Sequence, residues 1–184
     1  MLRIIGIDPG LATTGWSIVE FDNDSKPHVL DYGCITTKKG LTVSERLCEI
    51  YQDILELVRK YKPEYAGMET LLFYNNQKTA ISVGEARGVV LLALEQSNLP
   101  LSEMTPLQVK STVTGYGKAD KKQVQEAVKM LCSMDELPKP DDAADAIAIA
   151  IATEVLVSRG KKIALWSIVS NPIVWYNISR YLLS

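Results

Sequence analysis

The spacing of apolar positions changes along this chain, and the changes predict its elements. The run Arg3-Ile4-Ile5-Gly6-Ile7-Asp8 lacks period-two alternation, which predicts a strand buried on both faces. Pro9-Gly10 turns the chain and holds Asp8 in extended geometry. Thr14 to Glu20 mixes β-branched and aromatic residues and predicts a second strand, hairpin-linked to the first. A polar turn from Asp22 to Pro27 leads into a third strand, His28 to Thr36, so the opening is an antiparallel meander. The period then lengthens. Leu41, Leu47, Ile50, Tyr51, Ile54, Leu55 and Val58 recur at three- and four-residue spacing. They predict an amphipathic helix to about Tyr61, with Thr42 or Ser44 as its cap. Tyr65 to Thr70 predicts a fourth strand, reached by a helical crossover and so parallel to the first. Glu69 then stands at a strand end, as Asp8 does.

Phe73 to Gln77 is a polar-aromatic loop, and Ala80 to Gln96 a helix with Gly84 and Gly88 one turn apart, a pairing that points to close helix contact. Leu99 to Met104 predicts a fifth strand, Pro106 to Lys110 a helical turn, Ala119 to Leu131 a helix, and Asp141 to about Val157 the last helix. The order βββ-α-β-α-β-α is an α/β fold: a mixed five-stranded sheet, an antiparallel meander of three strands plus two parallel strands, flanked by helices. We expect one domain over residues 1–158 and a C-terminal tail over 159–184.

Composition narrows the function classes. A net charge of −2 and a pI near 5.5 give no general attraction to nucleic acid, so any DNA contact needs a local basic patch. Cys34, Cys48 and Cys132 form no CxxC pair, which argues against a zinc site or disulfide framework and for a reducing cytoplasm. His28 is the only histidine, which excludes a multi-histidine metal site. Arg3 and Asp8 interrupt the N-terminal apolar run, so no signal peptide is expected. The tail is apolar and aromatic, with Trp166, Trp175, Tyr176 and Tyr181, but Ser167, Asn171, Pro172, Asn177 and Arg180 break it up as a membrane span.

The chemistry lies in the acids. Alone, Asp8 reads as a turn aspartate. Asp142 and Asp145, three apart at the start of the last helix, share a face with apolar neighbours that pack on the sheet. Asp141 reads as a cap or dipole partner. Asp145 has no arginine or lysine within one turn of its own helix. The fold converges Asp8, Glu69, Asp142 and Asp145, and bare carboxylates so placed repel one another. Divalent cations would compensate them, and an all-oxygen site selects Mg²⁺ or Mn²⁺ over Zn²⁺. Two such ions about 3.5–4 Å apart are the usual apparatus of in-line phosphodiester displacement. Between Lys110 and Lys129, five lysines (Lys110, Lys118, Lys121, Lys122, Lys129) face only Asp120 and Glu126. Such a run is commonly a solvated helix face; beside a carboxylate cluster it reads as a phosphate contact.

Gly6-Ile7-Asp8-Pro9-Gly10, the Glu69 segment, Gly84-Glu85-Ala86-Arg87-Gly88, Lys110 to Gly115, Asp120-Lys121 with Gln123-Val124-Gln125, and Asp142-Ala143-Ala144-Asp145-Ala146 together resemble the RuvC family. The resemblance runs from about Leu2 to Val157. It implies an RNase H-like fold and a homodimeric, Mg²⁺-dependent nuclease that resolves Holliday junctions, with a branch-migration helicase complex as a further partner. By motif, Asp8, Glu69, Asp142 and Asp145 match the family's four catalytic acids, and Lys110 and Lys121 its lysines near the active site. Arg87 is carried by the same motifs as a DNA contact. Phe73 and Tyr74 are candidates to wedge against unstacked bases, although Leu72 holds the directly matching position and a loop anchor is the plainer role. Gly84, Gly88, Val83 and Leu91, with Leu94 nearby, are the expected dimer surface. The actin-like ATPases open on a similar strand-turn-hairpin but need a second half that 184 residues do not hold. A catalytically silent junction-binding module is the other alternative, and the acidic quartet argues against it.

Overall fold

The computed structural model describes residues 1–70 and 77–169, with side chains described for 1–70 and 80–160. Leu72, Phe73 and Tyr74 therefore lie outside the described residues. Five strands form one sheet in the order β3-β2-β1-β4-β5. They are β1 (Leu2–Asp8), β2 (Thr13–Phe21), β3 (Pro27–Thr36), β4 (Tyr65–Glu69) and β5 (Leu101–Met104). β1, β2 and β3 pair antiparallel, and β4 and β5 join parallel to β1. This is the expected mixed sheet. The β2–β3 register shifts at Ile18/Val19.

Helices cover both faces: α1 (Val43–Tyr61), α2 (Gln77–Gln96), α3 (Pro106–Thr114), α4 (Lys121–Leu131) and α5 (Asp141–Val169). Residues alternate across a strand, so β1 sends Ile5 and Ile7 into one core and Ile4 into another. The first core packs Ile50 and Ile54 of α1 against Ala86, Val90, Ala93 and Leu94 of α2. The second packs Val109, Val113, Val124 and Val128 of α3 and α4 against Ile147 to Ala152 of α5. The chain divides into two compact units, Met1–Glu154 and Val155–Ser184. Among the described residues no helix is long and apolar enough to cross a membrane.

Local chemistry explains the boundaries. Thr42, Thr105 and Asp120 each cap a helix in a reciprocal capping box with Glu45, Gln108 and Gln123. Gly115, left-handed at φ 76°, ends α3. That helix outruns the single turn expected to Lys110, because Val109 and Val113 bury one face one turn apart. α5 also outruns its expected end near Val157. A glycine in a helix costs about 1 kcal/mol against alanine but does not break it, and Gly160 is passed over. On α2, the exposed stripe is Ile81, Glu85, Gly88, Leu92 and Glu95, while Val83, Gly84 and Leu91 are half-buried beside it. Leu94 does not belong to that surface: it is buried against α1 in the core. Among the described residues a Cβ on Gly88 would meet nothing within 4 Å, so this glycine clears no space for another described helix of the chain.

Candidate active site

The expected acids gather at one end of the sheet. Asp8 ends β1 and Glu69 ends β4, its parallel neighbour. Asp142 and Asp145 lie in the first turn and a half of α5. One carboxylate oxygen from each of Asp8, Asp142 and Asp145 lies within 4.8 Å of the other two. Glu69 is outside that group of three, but its charge acts on Asp8, and the charge of Asp145 acts on it.

Two glycines let α5 come this close. A Cβ on Gly15 would lie 2.1 Å from the carbonyl oxygen of Asp142, and one on Gly6 would lie 2.0 Å from that of Ala146. Both are far inside contact distance, so only glycine admits the helix at this depth. Ser17 Oγ then donates to the Ala146 carbonyl at 2.9 Å. The turn after Asp8 is fixed by buried Thr14, whose Oγ1 accepts from the Gly10 N–H at 3.3 Å and donates to the Gly10 carbonyl at 2.8 Å.

The cluster holds protons that ordinary carboxylates release. Burial, then the charges of Asp145, Glu69 and Asp142, push Asp8 up to about 7, with Lys121 opposing. Burial, then Asp145, push Glu69 up to about 7, with Lys110 opposing. Asp145 is raised chiefly by burial, against the pull of Lys121. Such a group is short of positive charge. Its donors are all carboxylate oxygens, a set that fits a hard divalent cation such as Mg²⁺ or Mn²⁺.

Lys121 supplies part of that charge. Its Nζ lies 3.3 Å from Asp145 Oδ2 and 3.5 Å from Asp141 Oδ2. Asp145 thus has a cationic neighbour after all, and it comes from another element. Asp120 caps α4 and so sets Lys121 at the helix's first position, facing α5. One turn on, Gln125 Nε2 donates to Asp141 Oδ1 at 2.9 Å. Asp141, in the first turn of α5 as expected of a dipole partner, is also held from α4. The spacing of Lys121 and Gln125, i and i+4, was the available signal for this shared face.

The other candidates are scattered by comparison. Lys110 of α3 is half-buried and its charge reaches Glu69. Lys118 and Lys122 are exposed around the start of α4. Arg87 pairs with Glu103 of β5 and its side chain is only 17% exposed. Cys34, which the sequence offered no reason to place here, stands opposite Gly15 as Gly15 stands opposite Asp8. Its thiol is raised by burial first and then by the charge of Asp142, against a hydrogen bond with the Ala143 backbone. Only the strand register reveals that row.

A site of this make-up, on this sheet, matches known proteins. The family model for the crossover junction endodeoxyribonuclease RuvC matches residues 4–153. The chain belongs to the RuvC family. A RuvC from Fusobacterium nucleatum is 50% identical over 150 residues, covering 82% of this chain and 78% of that protein. A RuvC from Thermosipho melanesiensis is 52% identical over 149 residues, covering 81% of this chain and 94% of that one. Among solved structures, Thermus thermophilus RuvC in complex with a Holliday junction substrate superposes with a TM-score of 0.82 at 31% identity, over 87% of this chain and 97% of that one. Membership makes the chain a crossover junction endodeoxyribonuclease, a hydrolase acting on DNA, with the RNase H-like fold that the resemblance implied.

Proposed function

We propose that this protein cuts four-way DNA junctions by paired symmetric nicks, and that Asp8, Glu69, Asp142 and Asp145 are its catalytic acids. The observation that carries this is the convergence of Asp8, Asp142 and Asp145 within 4.8 Å, beside Glu69, in a chain of the RuvC family. These acids would hold two Mg²⁺ ions, with Mn²⁺ able to substitute. When bound, the ions supply charge compensation, an acidified attacking water and stabilisation of the departing oxygen. The protein's own groups do the rest. Lys121 fixes the carboxylate of Asp145 and sets its orientation. Lys110 stands by Glu69, where a phosphate over the acids would need a counter-charge. Exposed Lys118 and Lys122 contact neighbouring phosphates and carry no sequence information. Arg87 is left out of this surface, because Glu103 holds its guanidinium.

Residues 1–158 are the nuclease domain in this reading, and 159–184 a tail without an assigned role. Phe73 and Tyr74 remain the candidates for an aromatic wedge. Work in the cytoplasm, beside a branch-migration helicase complex, completes the proposal. The test is incubation with a 5′-labelled four-way junction, with Mg²⁺ or with chelator. We expect symmetric nicks with 5′-phosphate and 3′-hydroxyl ends in Mg²⁺ only. Tight binding with no cutting in Mg²⁺ or Mn²⁺ would make the protein a silent junction-binding module.

A further inference from the structure

Lys110 of α3 stands by Glu69 of β4, on one side of Asp8 in the sheet. A second basic feature lies on the other side, in the loop from β3 to α1, residues 37–42. Thr36, the last residue of β3, stands opposite Thr13, and Asp8 stands opposite Gly15, so this loop leaves the sheet at the end where Asp8 sits. Neighbouring strands are about 4.8 Å apart, which puts β3 roughly 10 Å from β1. The loop is fixed to the site's own turn. Thr37 N–H donates to the Ala12 carbonyl at 3.2 Å, and Thr37 Oγ1 to the Leu11 carbonyl at 2.6 Å. Arg46 Nε donates to Thr37 Oγ1 at 2.7 Å, and Thr37 itself is 5% exposed. The far end is held by the Thr42–Glu45 capping box.

Between these anchors Lys38, Lys39 and Gly40 are exposed. The nearest acid downstream, Glu45, accepts from Thr42 N–H and Oγ1 at 2.8 and 2.7 Å. Among the described residues no carboxylate pairs with Lys38 or Lys39. Two cations thus stand on a loop anchored at both ends, on the carboxylate side of the sheet, with no ion-pair partner among the described residues.

We propose that Lys38 and Lys39 form a second phosphate-binding surface, which holds the DNA backbone on the β3 side of the acids while Lys110 of α3 holds it on the β4 side. This rests on the reading of the protein as a junction nuclease. A chain with net charge −2 repels DNA at long range, and its acid cluster repels the phosphate it must admit. Cations on both flanks align the strand across the acids, whereas one flank leaves it free to pivot. The two flanks therefore grip phosphates on either side of the one to be cut.

The experiment measures binding of a four-way junction in chelator across a salt series, for the parent, for Lys38→Ala/Lys39→Ala, and for Lys38→Arg/Lys39→Arg. Each phosphate contact contributes about 0.9 to the slope of log affinity against log salt. The double alanine variant should bind roughly 10-fold more weakly with a slope shallower by nearly 2, at an unchanged unfolding midpoint, and the arginine variant should regain the parent slope. Parent affinity and slope in the alanine variant, with a parent that binds, would overturn this inference and leave the nuclease reading standing. A parent that binds no junction at all would take both down.

Discussion

At the scale of single residues, burial and like charge destabilise the acid cluster while it is bare. Asp8 is pushed up to about 7, well above an unfolded aspartate near 3.9. A carboxyl with a raised pKa favours the folded state below the unfolded value, and that contribution is lost as pH climbs through 7. In chelator, the unfolding midpoint of the parent should therefore fall between about pH 4 and pH 7. Asp8→Asn removes the charge and keeps the shape. At pH 8 in chelator it should melt a few degrees above the parent, where 1 kcal/mol is worth about 2–4 °C in a chain this long. At pH 5 the gap should narrow, and it should close only below about pH 4. Cleavage should fall roughly 10³-fold or more while junction binding persists. An equal gap at both pH values would show that Asp8 carries no such burden, and full cleavage by the variant would remove it from the catalytic acids. Metal should act in the same direction: because it displaces protons, Mg²⁺ should raise the parent's midpoint more at pH 8 than at pH 6.

At the scale of elements, the acids' positions come from how deeply α5 sinks onto β1 and β2. Gly15→Ala would set a methyl 2.1 Å from the Asp142 carbonyl oxygen, a backbone atom that cannot swing aside. Relief requires the start of α5 to lift, which carries Asp142 and Asp145 away from Asp8. Overpacking of this kind costs about 1–3 kcal/mol, and we expect the Mg²⁺ concentration for half-maximal cleavage to rise with it. A variant with parent stability and parent Mg²⁺ dependence would show that the depth of α5 does not matter. The same comparison says what was legible in the sequence. The strands were, because runs such as Ile4 to Ile7 are short, rich in β-branched residues and stopped by a turn signal, here Pro9-Gly10. So were the acids, because Asp8 and Glu69 end strands and Asp142 and Asp145 share a helical face. What lies across elements was not. Lys121 meets Asp145, and Cys34 meets the start of α5, only once α4 and β3 are in place. Leu94 looked like surface because the periodicity of α2 does not say which side α1 covers. α5 ran past Val157 because one glycine is too weak a breaker to end a packed helix.

At the scale of the molecule, in the proposed function one set of acids cuts one strand, and a junction needs two cuts to fall apart. A two-fold dimer presents two identical sites to strands of like polarity. Our reading places its axis on the exposed face of α2, where Ile81 is 72% and Leu92 51% exposed and Gly88 lies between them with open space above. Large apolar side chains in one stripe on a helix are poor solvent surface, and a glycine between them permits close approach of a second backbone. Gly88→Leu separates the two scales. Within one chain a Cβ at position 88 meets nothing within 4 Å among the described residues, so the unfolding midpoint of a monomer should not drop. Across a close helix pair it cannot fit, so the dimer should open. Sedimentation should show a shift to monomer at micromolar concentration, and a cruciform plasmid should yield open circles from single nicks in place of linear DNA from paired cuts. A variant that stays dimeric would move the interface to another face of the molecule. A variant that is monomeric and still linearises the plasmid at the parent rate would refute the dimer itself, because two cuts at one junction would then need only one site at a time.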